Sequence, residues 1–150
     1  MSARRYSVAA QDTNTAATSQ VGITSAATIR PWIYDLVCGS DATPADNAAE
    51  YVLQRDTTAG TSTAFTPVAL DPASPASLAA AGQNHSAEPT YTAAGLLLNW
   101  AQNQRATFRW VAAPESEIIF PATAANGGGV QTIGIAGSAV NMNFQIYFGE

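Results

Sequence analysis

His85 and Cys38 are each the only residue of their kind in a chain of 150, and the chain has no lysine. Proton transfer, metal binding and covalent catalysis draw mainly on His, Lys, Cys and clustered carboxylates. A zinc site needs three or four ligands at recognisable spacing. Cys38 and His85 with distant carboxylates do not supply them, so His85 is expected to make hydrogen bonds within the loop Gln83 to Pro89. Cys38 lies among apolar strand residues, where a thiol behaves as a small inert hydrophobe. Glu115 and Glu117 flank Ser116. Paired carboxylates can hydrolyse a glycosidic bond, but neighbours on one strand face share no pocket, and the pair reads as a turn and strand start. Asp41, Asp46 and Asp56 lack the spacing of a calcium loop. Asn126-Gly127-Gly128-Gly129 lacks the Gly-Lys-Ser/Thr ending of a phosphate cradle and reads as a flexible turn. A single His and no nucleophile elbow leave no Ser-His-Asp set. The expectation is a protein that is not an enzyme, with no catalytic, cofactor-binding or metal-binding residue.

Composition points the same way. Alanine makes up about a fifth of the chain and threonine about a tenth. Charged residues reach 11%, against roughly 25% in typical soluble domains. So sparsely charged a surface is poorly protected against association, which suggests assembly. The net charge is −5 and all six cations are arginines. No basic stripe is present to bind nucleic acid. Arginine without lysine suits fixed bidentate bonding. No apolar run is long enough for a membrane helix, the first ten residues lack a secretory core, and a lone Cys fits synthesis in a reducing cytoplasm.

The elements that must position any site read as strands. Residues 1–20 are small and polar after Tyr6-Ser7-Val8 and are expected to form an N-terminal arm, with a sandwich domain over 21–150. The run from Thr28 to Cys38 alternates, placing Trp32, Tyr34, Leu36 and Cys38 on one face and Ile33, Asp35 and Val37 on the other. Ala49–Arg55 is a strand, and 56–61 a hairpin-like turn. Ala73–Ala81, closed by Gly82, is the one plausible short helix. The runs 96–100 and 106–111 read as hairpin partners. In the last segment Val140, Met142, Phe144, Ile146 and Phe148 alternate with Asn141, Asn143, Gln145 and Tyr147, so one face is buried. Short strands separated by Gly, Pro and Asn turns predict an all-β, single-domain antiparallel sandwich, jelly-roll-like. Trp100, Phe108 and Trp110 are expected in the core or at a subunit interface rather than stacked on sugars.

Three stretches carry a resemblance: Ile33–Ser40 with Thr43–Asn47, Thr57–Thr61, and Asn103–Pro114. Over residues 28–125 the chain resembles small virion structural proteins of tailed bacteriophages, of the head decoration or cement type. That resemblance implies a jelly-roll or related β-sandwich, made in the bacterial cytoplasm and resident on the capsid surface. It implies a homo-trimer bound to the major capsid protein near local three-fold axes, stabilising the shell, with no cofactor, nucleic acid or membrane as partner. Candidate capsid or subunit contacts are Arg4, Arg5, Tyr6, Arg30, Trp32 and Arg109, with Arg4 and Arg5 on the arm pairing with carboxylates. The alternatives are a spike or head-fibre module gripping host-surface glycans, favoured by exposed coplanar tryptophans, and a minor tail or adaptor protein.

Overall fold

The computed structural model describes residues 3–150. The chain is all β, folded as two antiparallel sheets packed face to face. Strands β1 (Arg5–Thr13), β3 (Trp32–Ser40), β6 (Val68–Ala69), β9 (Phe108–Val111), β10 (Ile118–Ile119) and β12 (Asn141–Gly149) form sheet A. Sheet B holds β2 (Thr18–Thr24), β4 (Ala48–Thr58), β5 (Thr61–Phe65), β7 (Ala80–Ala87), β8 (Thr90–Asn103) and β11 (Gly127–Ile135). The paths β1-β12-β3-β9 and β2-β11-β4-β8 interleave the two ends of the chain, the jelly-roll-like arrangement expected. The segment between β4 and β8 adds β7 beside β2 and β5 beside β7, and β6 beside β1.

The alternation of β12 holds throughout. Val140, Met142, Phe144, Ile146 and Phe148 are buried, whereas Asn141 and Asn143 are exposed. β12 pairs with β1 from Arg5↔Gly149 to Thr13↔Asn141, and on its other side with β3. Between the sheets an aromatic column fills the space: Phe108 stacks on Trp100 at 4.7 Å, Trp100 on Tyr51 at 5.6 Å, and Phe144 meets Tyr51 edge-on at 5.9 Å. The polar tip of Tyr51 is met by Asn14. The Asn14 amide Nδ2 donates to Tyr51 Oη at 2.8 Å, and its Oδ1 accepts from Val140 N at 2.7 Å. Such a network stabilises only while both partners are present.

Five local expectations are corrected. Within the expected arm 1–20, residues 3–20 are not an arm: Arg5–Thr13 is β1, in the interior of sheet A, and β2 starts at Thr18, while residues 1 and 2 lie outside the described residues. Its small polar residues conceal Tyr6, Val8 and Ala10, which alternate inward. The stretch 73–81 forms no helix but turns and bends that lead into β7; Pro72 and Pro75 and the missing bulky stripe disfavour one. The runs 96–100 and 106–111 are not hairpin partners, because β8 pairs with β4 and β9 with β3 across the sandwich. On β3 a register shift opposite Tyr147/Phe148 reverses the alternation. Ile33, Leu36 and Cys38 therefore point inward, while Trp32 and Tyr34 are left half-exposed. Finally, Gly127, Gly128 and Gly129 are not a flexible turn but the buried start of β11, between β2 and β4.

Those glycines are set by close packing. A Cβ on Gly128 would lie 2.6 Å from the Phe120 ring and 2.7 Å from the Gln54 carbonyl oxygen. Gly128→Ala is expected to destabilise the fold by about 2 kcal/mol through overpacking, read as a lower denaturation midpoint with unchanged slope. A truncation that removes residues 1–13 strips β12 of one neighbour and should abolish the cooperative transition, checked by thermal circular dichroism.

Candidate functional site

The outer face of sheet A gathers half of the residues expected to make contacts. Because β3 is bulged, Trp32 and Tyr34 lie with Tyr147 of β12 on this face: the Trp32 and Tyr34 rings are 5.4 Å apart and tilted by 41°, and Tyr34 stacks on Tyr147 at 6.3 Å. Arg5, from β1, places its guanidinium 5.5 Å from the centre of the Tyr34 ring. Beside them Arg109, from β9, holds Asp35 in a fork, with Nε to Oδ1 at 3.1 Å and Nη2 to Oδ2 at 2.6 Å. Asp35 is 6% exposed, so the fork neutralises a carboxylate that the sheet has drawn out of water. The hydrogen bonds and charge of Asp35 raise the Arg109 pKa, keeping the guanidinium charged.

Arg5, Trp32 and Arg109 thus form one patch, which they share with Tyr34, Asp35 and Tyr147. Arg4 and Arg30 do not join it: both are exposed, Arg4 before β1 and Arg30 in the loop before β3. Tyr6 is corrected outright. It is fully buried, stacks on Phe148 at 5.5 Å and donates its hydroxyl to the Pro75 carbonyl at 3.0 Å. The sequence signal for Tyr34 was present in the aromatic-rich strand, but simple alternation assigned Trp32 and Tyr34 to the same face as Leu36.

A second cluster, around β2 and β7, escaped the sequence reading because its members lie far apart in the chain. Ser19 is buried; its backbone N and its Oγ donate to Glu88 Oε2 at 2.8 and 2.5 Å, and its Oγ also meets Tyr91 Oη at 2.5 Å. His85 lies on β7, not in a loop, and its Nδ1 is 3.1 Å from the Ser19 carbonyl oxygen. A carbonyl only accepts, so Nδ1 carries the hydrogen. Asp12 accepts from the backbone N of Thr13 and of Asn84, and burial raises its pKa. Burial also raises the pKa of Tyr91. These groups satisfy one another and fasten β7 and β8 to β2. The Ser19 hydroxyl is enclosed, and His85 meets its carbonyl instead of its oxygen nucleophile, an arrangement unsuited to covalent catalysis.

The remaining candidates fall into place singly. Trp100 is buried, and Phe108 and Trp110 pack against the core. The Cys38 thiol donates to Gln102 Oε1 at 3.4 Å, and burial pushes its pKa up to about 12, which keeps it protonated and unreactive. Glu115 sits in an exposed turn with Glu117 ahead of β10, as expected. Asp41 accepts from Gln11 and Asp46 from Asn103, whereas Asp56 is buried on β4. Among the described residues no three His, Cys, Asp or Glu side chains come together to hold a metal.

Asp56 carries a pH dependence. It lines a cavity of about 380 Å3 with His85, Gly22, Gly60 and Gly82; its Oδ1 has no partner, and burial pushes its pKa from 3.8 up to about 7. The folded state therefore holds a proton that the unfolded chain releases near pH 4. This contribution to stability is fully present below pH 4 and falls as pH rises towards 7, by about 4 kcal/mol in all. Asp56→Asn should flatten that decline and raise stability at pH 7 to 8, as read from denaturant midpoints across pH. A slope unchanged in the variant would assign the titration elsewhere.

No family model, curated protein or solved structure matches this chain.

Proposed function

We propose that this chain is a bacteriophage virion structural protein of the head decoration type, which lays the outer face of sheet A against the major capsid protein and stabilises the shell. Its place is then the capsid surface, after synthesis in the bacterial cytoplasm, and its role is not enzymatic. The observation that carries the reading is the patch of Arg5, Trp32, Tyr34, Tyr147 and the Asp35–Arg109 fork on a broad sheet face. Tyr, Trp and Arg are the residue types that dominate the energetics of protein interfaces. The patch is rigid before contact, because its rings lean on one another and three of its strands, β1, β3 and β12, are paired on both sides, so little ordering entropy is lost on docking. Modest contacts suffice when many copies bind one shell.

The glycan-binding alternative is less well supported. Sugar platforms need exposed, coplanar rings, whereas Trp100 is buried and the Trp32 and Tyr34 rings are tilted by 41°. The decisive experiment is cosedimentation of the protein with purified heads that lack it. Arg5→Ala with Tyr34→Ala should keep the native circular dichroism spectrum and weaken shell binding by about 2 kcal/mol, roughly 30-fold. Binding that is unaltered in the folded double variant, or a glycan-array signal that depends on the same two residues, would overturn the reading.

A further inference from the structure

The cavity that holds Asp56 lies on the outer side of sheet B. Val21 and Ile23 of β2 and Ala81 of β7 point into the core, so the paired Gly22 and Gly82 between them look outward. On this side Asp56 of β4 and Thr24 of β2 share a ladder rung with Gly127 of β11, which raises no side chain between them. Asp56 is 4% exposed, and its Oδ1 meets no donor. A buried polar group left unpaired is costly until a partner reaches it. His85 lines the same cavity. Its Nδ1 carries the hydrogen towards the Ser19 carbonyl, so Nε2 is left as an acceptor.

A glycine that the fold does not demand keeps this cavity open. Gly60 has a φ of 68°, and a Cβ on Gly82 would overlap the Ser62 side chain, so both positions need glycine. Gly22 has no such need. A Cβ there would stand 3.7 Å from His85 Nε2 and 3.9 Å from the Gly128 carbonyl oxygen, which are ordinary contact distances. What its missing side chain leaves is room beside the free nitrogen of His85.

We propose that this cavity binds a small aliphatic amine in its protonated form, the ammonium donating to the Asp56 carboxylate and to His85 Nε2. Chemistry selects this class of ligand. Both polar groups offer lone pairs, so the ligand must bring N–H donors. A carboxylate withdrawn from water calls for a positive charge. The protein does not supply it: no arginine lines the cavity, the chain has no lysine, and Arg55 beside Asp56 donates to the Ile119 carbonyl at 3.1 Å instead. A metal ion would find no third His, Cys, Asp or Glu among the described residues. An anion would be repelled by the carboxylate. Ala59, Ala64, Ala80 and Pro89 offer an apolar wall to the aliphatic stem. Burial raises the Asp56 pKa to about 7, so below that pH the incoming amine must displace a proton to solvent. Tyr91 and Glu88 are the other titratable groups near Asp56. Burial keeps Tyr91 protonated, and Glu88 is engaged by Ser19. Protonation of His85 would remove the second acceptor and so weaken binding in the same direction as protonation of Asp56. The site does not depend on the shell-binding face, which lies on the other sheet.

Titration of the full chain with n-butylammonium chloride at fixed ionic strength tests it, followed by NMR at the amides of Gly22, Gly60 and Gly82. So small a ligand should give saturable shifts with a millimolar dissociation constant. Binding should be about ten-fold tighter at pH 8 than at pH 6, as Asp56 ionises. Sodium butyrate, of similar stem and opposite charge, should not shift these amides. Asp56→Asn removes the negative charge; it should fold, weaken binding at least about ten-fold and flatten its pH dependence. Gly22→Ala leaves Asp56 intact and puts a methyl group where the ammonium would approach His85, so it too should weaken binding about ten-fold. The absence of saturable shifts at pH 8 up to about 100 mM amine overturns the proposal. Equal binding of butyrate overturns it too, as does undiminished affinity in either folded variant.

Discussion

The pairing of β12 on both of its sides determines which side chains this protein turns towards water and which towards the core. Held between β1 and β3, β12 has no freedom to slip, because a shift of one residue would send Met142, Phe144, Ile146 and Phe148 to the surface. That fixed register aligns Tyr147 with the bulge of β3, and the bulge in turn brings out Tyr34 beside it. The aromatic patch is therefore a consequence of a backbone irregularity in an otherwise regular sheet. Without the extra residue, Tyr34 would compete with Leu36 for the core.

The two faces of the sandwich take different polar solutions. Inside, Asn14 joins Tyr51 to Val140, and on sheet B the buried Ser19 joins the exposed Glu88 and the half-buried Tyr91 and His85, so polar atoms fasten strands to one another. Outside, the Asp35–Arg109 fork and the Arg5–Tyr34 contact hold cations in fixed positions. This is where a chain with arginine and no lysine differs from an ordinary acidic domain. Its few cations include two held against sheet A, and much of the rest of the surface is neutral.

The legibility of the sequence depended on the range of the interactions. The alternation of β12 and of Ala49–Arg55 was readable because one buried face imposes a period of two on neighbouring residues. The all-β class and the paucity of catalytic side chains were readable from composition. What could not be read was set by distant partners. β1 is concealed among Ser, Ala, Gln and Thr because its neighbours are β12 and β6, far along the chain. Gly127–Gly129 resembles a loop because only the adjacent backbones and the Phe120 ring require its lack of side chains. The Ser19–His85–Glu88 cluster joins residues more than 60 positions apart, and no local spacing announces it.

The pairing of β1 with β12 joins Arg5 to Gly149, 144 residues further along the chain. A ribosome delivers β1 and β3 long before the strand that lies between them, so sheet A cannot close until β12 has emerged. Folding dominated by such distant pairings is slow, and during that interval the apolar faces of Val8, Ile33 and Leu36 lack their cover. The nascent chain is thus most exposed to wrong partners in the interval before β12 arrives, and holding chaperones have their greatest influence on yield then.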